Sequence, residues 1–355
     1  MLTIGKMNRH RPCVQGIIPQ EMLKNIAKNG TKAQKDLALH NLSLSGFIRG
    51  QRSVLGPVSF ITAAPLLAAE RSRKVYNANQ TTDLPGDLVL QEGDPTSSDI
   101  IVNEAYNGAG STYDLYKEIF DRNSIDDKGL SLISTVHYDQ KYNNAFWNGQ
   151  QMVYGDGDGE LFNGFTHCID VIGHELTHGV TQYEADLVYN NQPGALNESF
   201  SDVMGILVKQ RVLGQTAENA DWLIGEGLFT SRINGVALRS MKDPGTAYND
   251  PVIGKDPQPA HMKNYVKTTS DNGGVHINSG IPNRAFYLAA VGIGGNAWEK
   301  AGKIWYIALR DVIRPNSQFR DAARATVQVA ANLFKIGSAE HKAVKAAWAG
   351  VGIKV

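Results

Sequence analysis

The stretch that decides the reading is Gly173-His174-Glu175-Leu176-Thr177-His178-Gly179. Ile169, Ile172, Leu176 and Val180 around it make an apolar stripe at helical spacing. On such a helix His174 and His178 project from one face, one turn apart, where two imidazoles can bind a single zinc ion. Glu175 is rotated away by about one hundred degrees, so it suits contact with a water at the metal better than ligation. A catalytic zinc needs a third protein ligand and one open position. Twenty residues after His178 comes Asn197-Glu198-Ser199-Phe200-Ser201-Asp202. Glu198 offers a hard oxygen from a second helix. Asp202, one turn further on, is placed to accept the other ring N–H of a ligating histidine. Read alone, Glu198 and Asp202 are two surface acids; read with the histidine pair they complete a metal site.

The chain has 355 residues, 42% of them hydrophobic, enough for a substantial core and two or more domains. Lys+Arg and Asp+Glu both number 35, so net charge gives no hint of a nucleic-acid partner. The charge is uneven. Residues 1–60 hold nine Lys/Arg against Glu21 and Asp36, a net of +7, which leaves −7 for the remainder. Either a solvated basic helix pair or a basic segment docked on an acidic body fits that split. Two cysteines, Cys13 and Cys168, exclude a disulfide framework and imply no oxidising compartment. The first sixteen residues, MLTIGKMNRHRPCVQG, lack the apolar run of a classical signal peptide. The run Phe60–Ala69 is too short for a membrane span and contains Pro65.

Residues 19–47 read as two short helices, the first started by Pro19 and ended by Asn29-Gly30, the second capped by Thr31. The Gly/Ser/Pro-punctuated stretch Ser43–Pro57 and the small-residue run behind it read as a linker. From Lys74 to Gly159 the pattern is one of short strands and turns, with strand candidates at 88–90, 130–136 and 151–154. Gly155-Asp156-Gly157-Asp158-Gly159 reads as a tight turn, because the closing acid of a calcium loop is missing. From Asp170 onward the chain reads helical, with helices near 194–213, 281–291, 296–313, 318–334 and 338–349. There is no internal repeat.

These residues together resemble the thermolysin-like neutral metallopeptidases, over roughly residues 70–355. Tyr142-Asn143-Asn144-Ala145-Phe146-Trp147-Asn148-Gly149 is similar to the family's substrate-binding edge strand. Asp271-Asn272-Gly273-Gly274-Val275-His276-Ile277-Asn278-Ser279-Gly280 is similar to the segment carrying its second active-site histidine. The small N-terminal module resembles the compact prosegment of protealysin-type precursors.

The resemblance implies an α+β, two-lobed fold. Residues 1–60 would be prosegment and linker, 61–187 a strand-rich lobe with the active-site helix, and 188–355 a helical lobe. It implies one catalytic zinc on His174, His178 and Glu198, with Asp202 behind a histidine. Glu175 would be the general base, His276 and Tyr189 would stabilise the oxyanion, and Asp271 would orient His276. Asn144 and the Ala145 carbonyl would hold substrate as an added strand, and Arg239 would grip a substrate carbonyl beside the cleaved bond. Phe162, Phe165, Val171, Ile224, Leu228 and Leu238 would line an apolar pocket for the residue after that bond. The implied activity is endopeptidase cleavage before hydrophobic residues, by a monomer acting on peptides or proteins, with its own prosegment as inhibitor and no nucleic-acid or membrane partner. Secretion follows from the resemblance; a cytoplasmic location is the alternative that the missing signal peptide leaves open.

The chain also departs from the family pattern. Where thermolysin's double calcium site collects acids, this sequence has Asp170, Lys209 and Asp221-Trp222-Leu223-Ile224-Gly225-Glu226. Another calcium loop reads Phe229 and Val236 where tyrosine and aspartate are expected. Calcium should therefore be absent or confined to one weak site, with Lys209 either neutralising the remaining acids or pointing to solvent. Cys13, in the extended stretch Arg11-Pro12-Cys13-Val14, either ligates the precursor's zinc or merely lies across the cleft. Two rival readings are a peptide-binding scaffold with a degenerate site and a structural zinc protein. Structural zinc sites close with four protein ligands, and no fourth is evident in the body.

Overall fold

Two glycines set the geometry of the molecule's centre. Helix α4 (Ile169–Tyr183) crosses helix α5 (Asn191–Leu213) where Gly173 meets Gly205. A Cβ on Gly205 would stand 2.4 Å from the Asp170 carbonyl, and one on Gly173 would stand 3.1 Å from the Gly205 Cα. Only glycine permits so close a crossing. Glu198, two turns before Gly205, is thereby carried against His174 and His178. Residues 193–210 of α5 are buried on every face, so this is the central helix of the fold.

The computed structural model describes residues 16–55 and 70–355, with side chains of the first segment described as far as Phe47. Cys13 lies outside the described residues. The N-terminal module is α1 (Gln20–Asn29) packed on α2 (Lys32–Leu55). Met22, Leu23 and Ile26 form the buried face of α1, as its spacing predicts. α2 is longer than the sequence suggests. It runs through Ser43, Ser45, Gly46 and Gly50, in the stretch read as linker, because helical context overrides the weak propensities of those residues.

A five-stranded sheet follows, in the order β2-β1-β3-β5-β4. Its strands are β1 (Arg73–Asn77), β2 (Asp87–Gln91), β3 (Leu132–Val136), β4 (Ala145–Trp147) and β5 (Met152–Tyr154). β3 pairs parallel with β1 and β5; β4 pairs antiparallel with β5 and forms the edge that faces the active-site helix. Between β2 and β3 lies helix α3 (Ile100–Asp114), continued by a π turn at Leu115–Ile119. The sequence reading gave only strands and turns there. The segment NGAGST hides the helix, since its glycines serve close packing: a Cβ on Gly108 would meet Ile172 of α4 at 2.3 Å.

The remainder is helical as expected, with α6 (Asp271–Asn278), α7 (Gly280–Ile293), α8 (Ala301–Ile307), α9 (Phe319–Phe334) and α10 (Ala339–Gly350). Ser338 caps α10 through the His341 amide. Two short hairpins escaped the reading: β6 (Leu223–Ile224) with β7 (Arg239–Ser240), and β8 (Asn249–Asp250) with β9 (Gly254–Lys255). At two residues per strand they carry no periodicity to read. No described helix is long and apolar enough to cross a membrane. Cys168 is a free, buried thiol.

Candidate metal centre

His174, His178 and Glu198 bring one donor atom each to within 4.8 Å of one another. The hydrogen bonds fix the state of those donors. His174 Nδ1 lies 2.8 Å from Asp202 Oδ1, and His178 Nδ1 lies 2.8 Å from Asn197 Oδ1. Both partners are acceptors, so both Nδ1 atoms carry the proton and both Nε2 atoms carry lone pairs. Those two Nε2 atoms face each other at 3.0 Å. Two lone pairs so close repel unless a cation lies between them. Glu198 adds a buried Oε2 with no hydrogen-bond partner, 3.5 Å from His174 Nε2. Burial pulls both histidines down to about 4, so they are neutral near pH 7, as metal ligands must be. The set fits one divalent metal, and two imidazoles with one carboxylate is a donor set suited to catalytic zinc.

Asp202 is buried and satisfied on every side. It accepts from the His174 ring, from Arg239 Nε at 2.9 Å and Nη2 at 2.8 Å, and from Asn283 Nδ2 at 2.8 Å. Although burial alone would raise its pKa, the Arg239 charge and the His174 bond hold it well below the usual carboxylate range. Sequence reasoning found Asp202 and missed its partner Asn283, as it missed Asn197 and Ser201 beside His178. Ser201 had a readable signal, one turn from Asn197 on the Glu198 helix; Asn283, far along the chain, had none.

Glu175 is fully buried. Its Oε2 accepts the Trp147 amide at 3.0 Å, and its Oε1 has no partner. Burial, with Glu198 nearby, pushes its pKa well up. On the far side, the Asp271-Asn272-Gly273-Gly274 run turns left-handed at all four residues, with φ of 52°, 48°, 81° and 78°. That turn folds Asp271 back onto its own helix: one oxygen takes the His276 amide at 2.8 Å, the other the His276 Nδ1 at 2.6 Å. Burial lowers the His276 pKa, but Glu198 and Asp271 outweigh it and raise the ring to about 9. The His276 Nε2 lies 3.5 Å from Glu198 Oε2. The Tyr189 hydroxyl bonds Glu198 and lies 3.4 Å from His276 Nε2.

The residues expected to hold substrate are occupied by the chain itself. Gly16 bridges antiparallel to Phe146 on β4. Ile17 donates its amide to the Ala145 carbonyl at 3.1 Å, and Ile18 donates to Asn144 Oδ1 at 3.0 Å. Arg239 Nη1 donates to the Ile17 carbonyl at 3.3 Å. Ile17 is buried in the same apolar cluster as Phe162, Phe165, Val171, Ile224, Leu228 and Leu238.

The expected calcium region holds no cluster of free acids. Lys209 does not point to solvent: its Nζ donates to Asp221 Oδ1 at 3.1 Å, Glu226 Oε2 at 3.0 Å and the Leu223 carbonyl at 3.2 Å. Asp170 takes the Gly225 amide at 2.8 Å. Phe229 packs on Phe162 and Tyr248, and Val236 is exposed. The glycine-rich turn spends its acids internally, Asp156 on His137 and Asp158 on the amides of residues 160–162. Of the basic module's cations, Lys6, Arg9, Arg11, Arg49 and Arg52 lie outside the described side chains. Among the described residues the module's contacts to the body include one ion pair, His40 with Asp139, and the hydrogen bonds of Asn25 and Gln34.

Comparison with known proteins places these features together. Residues 65–182 match the catalytic domain of the thermolysin metallopeptidases, and residues 185–353 match their alpha-helical domain. An extracellular metalloprotease of Pectobacterium carotovorum subsp. carotovorum is 51% identical over 354 residues, 98% of each chain. Thermolysin of Alicyclobacillus acidocaldarius subsp. acidocaldarius is 45% identical over 288 residues, 78% of this chain and 50% of that protein. The solved precursor of protealysin, a metalloproteinase from Serratia proteamaculans, is 52% identical, with a TM-score of 0.87 over 96% of this chain and 99% of that one.

Proposed function

This chain belongs to the thermolysin metallopeptidase family and is a metalloendopeptidase precursor; on that premise we propose that it cleaves peptides before hydrophobic residues, with Glu175 as general base. His174, His178 and Glu198 would hold zinc, which when bound would supply Lewis acidity to a water and a carbonyl. Glu175 takes a proton from the attacking water; its Oε2 is held by the Trp147 amide while Oε1 is left to work. His276, oriented by Asp271, and the Tyr189 hydroxyl donate to the oxygen that becomes negative. Asp202 and Asn197 hold the two ligand histidines in the tautomer that ligation requires. Asn144, Ala145 and Arg239 bind substrate backbone, and the buried Phe162–Leu238 pocket selects a large apolar side chain.

The observation that carries this reading is the pair of Nε2 lone pairs facing each other beside Glu198, with Glu175 set apart from them. Against a degenerate scaffold stands the filling of every expected catalytic position. Glu175→Gln should retain one zinc per chain by metal analysis and lose casein hydrolysis by roughly 10²–10⁴-fold, the ordinary contribution of a general base. A Glu175→Gln protein of full activity ends the mechanism.

The N-terminal module is proposed to be an inhibitory prosegment, because residues 16–18 take the seats assigned to substrate. Secretion is supported by the extracellular metalloprotease it resembles. Calcium is proposed to be dispensable, since Lys209 already neutralises the acids that would bind it.

A further inference from the structure

The direction of residues 16–18 in the cleft says which bond they present. Arg239 donates to the Ile17 carbonyl, the Ala145 carbonyl receives the Ile17 amide, and the Ile17 side chain is fully buried. On the assignments above, Ile17 sits as the residue after a cleaved bond, and Ile18 as the next. The Ile17 amide also lies close to the Glu175 carboxylate and helps to steady its charge. Gly16 is the residue that fits before it, because a Cβ there would meet Asn144 Oδ1 at 2.4 Å and the Ala145 carbonyl at 2.6 Å.

We propose that Gly16–Ile17 is the scissile bond of a tethered substrate: the enzyme cuts its own prosegment there, and the chain from Ile17 onward stays docked as a bound product. This rests on the functional reading above and adds to it the first bond cut. The reaction is a simple hydrolysis. Water oxygen bonds to the Gly16 carbonyl carbon, the C–N bond to Ile17 breaks, and the proton taken up by Glu175 goes to the Ile17 nitrogen. The products are a Gly16 carboxylate and an Ile17 ammonium. That ammonium lies beside Glu175, which favours its staying in place.

Three contacts hold the new N-terminus where it was made. Asn25 Nδ2 donates to the Ile253 carbonyl at 3.1 Å, Gln34 Nε2 donates to Glu160 Oε2 at 3.3 Å, and His40 Nε2 lies 2.7 Å from Asp139 Oδ2. They anchor the module to both walls of the cleft, and the chain runs on from α2 into the body. The amine therefore remains at high effective concentration beside the carboxylate. Latency should survive this first cut and end only when the module is removed at a later bond.

The test uses the full chain, purified without metal and then loaded with zinc. Intact-mass measurement and N-terminal sequencing should show Ile17 as a new N-terminus, formed at a rate unchanged over about a hundredfold dilution, because the reaction is intramolecular. Chains cut only there should remain inactive on a separate peptide. The Glu175→Gln chain should stay whole, while hydrogen exchange shows its Ile17 and Ile18 amides protected. Gly16→Ala, a change outside the body, should expose those amides and slow the cut at least about tenfold, about 1.4 kcal/mol in barrier. A zinc-loaded chain that hydrolyses other bonds, its own or a peptide's, while Gly16–Ile17 stays intact overturns the proposal. So do fast-exchanging Ile17 and Ile18 amides in Glu175→Gln, and full activity from the first cut alone. A chain that hydrolyses nothing at all strikes the functional reading, and this one falls with it.

Discussion

Two polar clusters lie along the same pair of helices, the first buried and the second open to solvent on one side, and they solve one electrostatic problem in opposite ways. At one, His174 and His178 of α4 and Glu198 of α5 turn lone pairs toward a shared point and have no cation of the chain's own between them. At the other, Asp170 of α4 sits with Asp221 and Glu226 around Lys209 of α5, whose ammonium is part of the sequence. Burying like charges or lone pairs is costly until a cation compensates them. The first cluster needs a metal and the chemistry that comes with it. The second carries its cation permanently, which is the ground for proposing that calcium is dispensable there.

The comparison breaks most visibly if the first cluster is disarmed. Glu198→Ala removes the only anionic ligand of the set and leaves two neutral imidazoles. Zinc retained after dialysis should fall from one per chain toward zero, and peptide hydrolysis should drop by at least about 10³-fold, as loss of the electrostatic centre implies. A Glu198→Ala chain that keeps stoichiometric zinc would mean that the converging donors do not define the site.

The second cluster should answer with stability instead of activity. Lys209→Met removes the built-in cation and leaves Asp170, which burial already pushes up in pKa, without its compensating charge. With both bonded acids partly solvated, the loss is about 1–2 kcal/mol, a fall in Tm of roughly 2–8 °C. Millimolar calcium should restore part of the loss in Lys209→Met, and Lys209→Glu with Leu223→Glu should make the protein calcium-dependent. The parent, measured as the zinc-loaded Glu175→Gln protein to prevent self-digestion, should keep its Tm with calcium or with a calcium-selective chelator. A parent whose midpoint falls by more than about 10 °C on calcium removal would show the two clusters to be alike.

Both clusters were legible in the sequence, for different reasons. The first showed itself by spacing, because a helix turns i and i+4 to one face. The second showed itself by departure, a lysine where relatives collect acids. What spacing could not show was proximity between distant segments. Nothing in the sequence near Asn283 says that its amide supports Asp202, and nothing in NGAGST says that Gly108 is small so that Ile172 can approach. The charge difference of the N-terminal module likewise said nothing of the bonds that Ile17 and Ile18 make to Ala145 and Asn144, or of the buried Ile17 side chain.

His137 gives a weaker, pH-dependent version of the second solution. It stands at the end of β3 between two carboxylates, with Nδ1 2.9 Å from Asp156 and Nε2 2.8 Å from Asp99. The Asp156 bond is the main cause that raises the ring to about 9, with Asp99 adding to it against a penalty from burial. A folded pKa above the unfolded value of about 6.5 means stability fully present below pH 6.5 and lost as pH rises through about 9. Both acids are partly solvated, so screening leaves about 1–2 kcal/mol. Unfolding of the Glu175→Gln protein at pH 6 and pH 9.5 should show a smaller stability difference in His137→Gln than in the parent. An equal difference in both removes His137 from the account.

The smallest effect concerns a buried polar group that has neither solution. Asn41 of α2 is fully buried, and among the described residues neither its Oδ1 nor its Nδ2 has a hydrogen-bond partner. An amide left so costs about 1–3 kcal/mol relative to a satisfied one, and an apolar group of similar shape avoids that cost. Leucine matches asparagine in branching and heavy-atom count, with methyl groups in place of the amide oxygen and nitrogen. Asn41→Leu should therefore stabilise the N-terminal module by about 1 kcal/mol, and a firmer module should leave the cleft more slowly. The measurement is the lag before peptide hydrolysis begins in zinc-loaded precursor, which should lengthen about fivefold if module opening limits the release. The same substitution should leave the mature enzyme's rate unchanged, since the module is gone by then. A shortened lag would mean that Asn41 makes a favourable contact that its buried amide does not reveal, and that this third cluster is compensated after all.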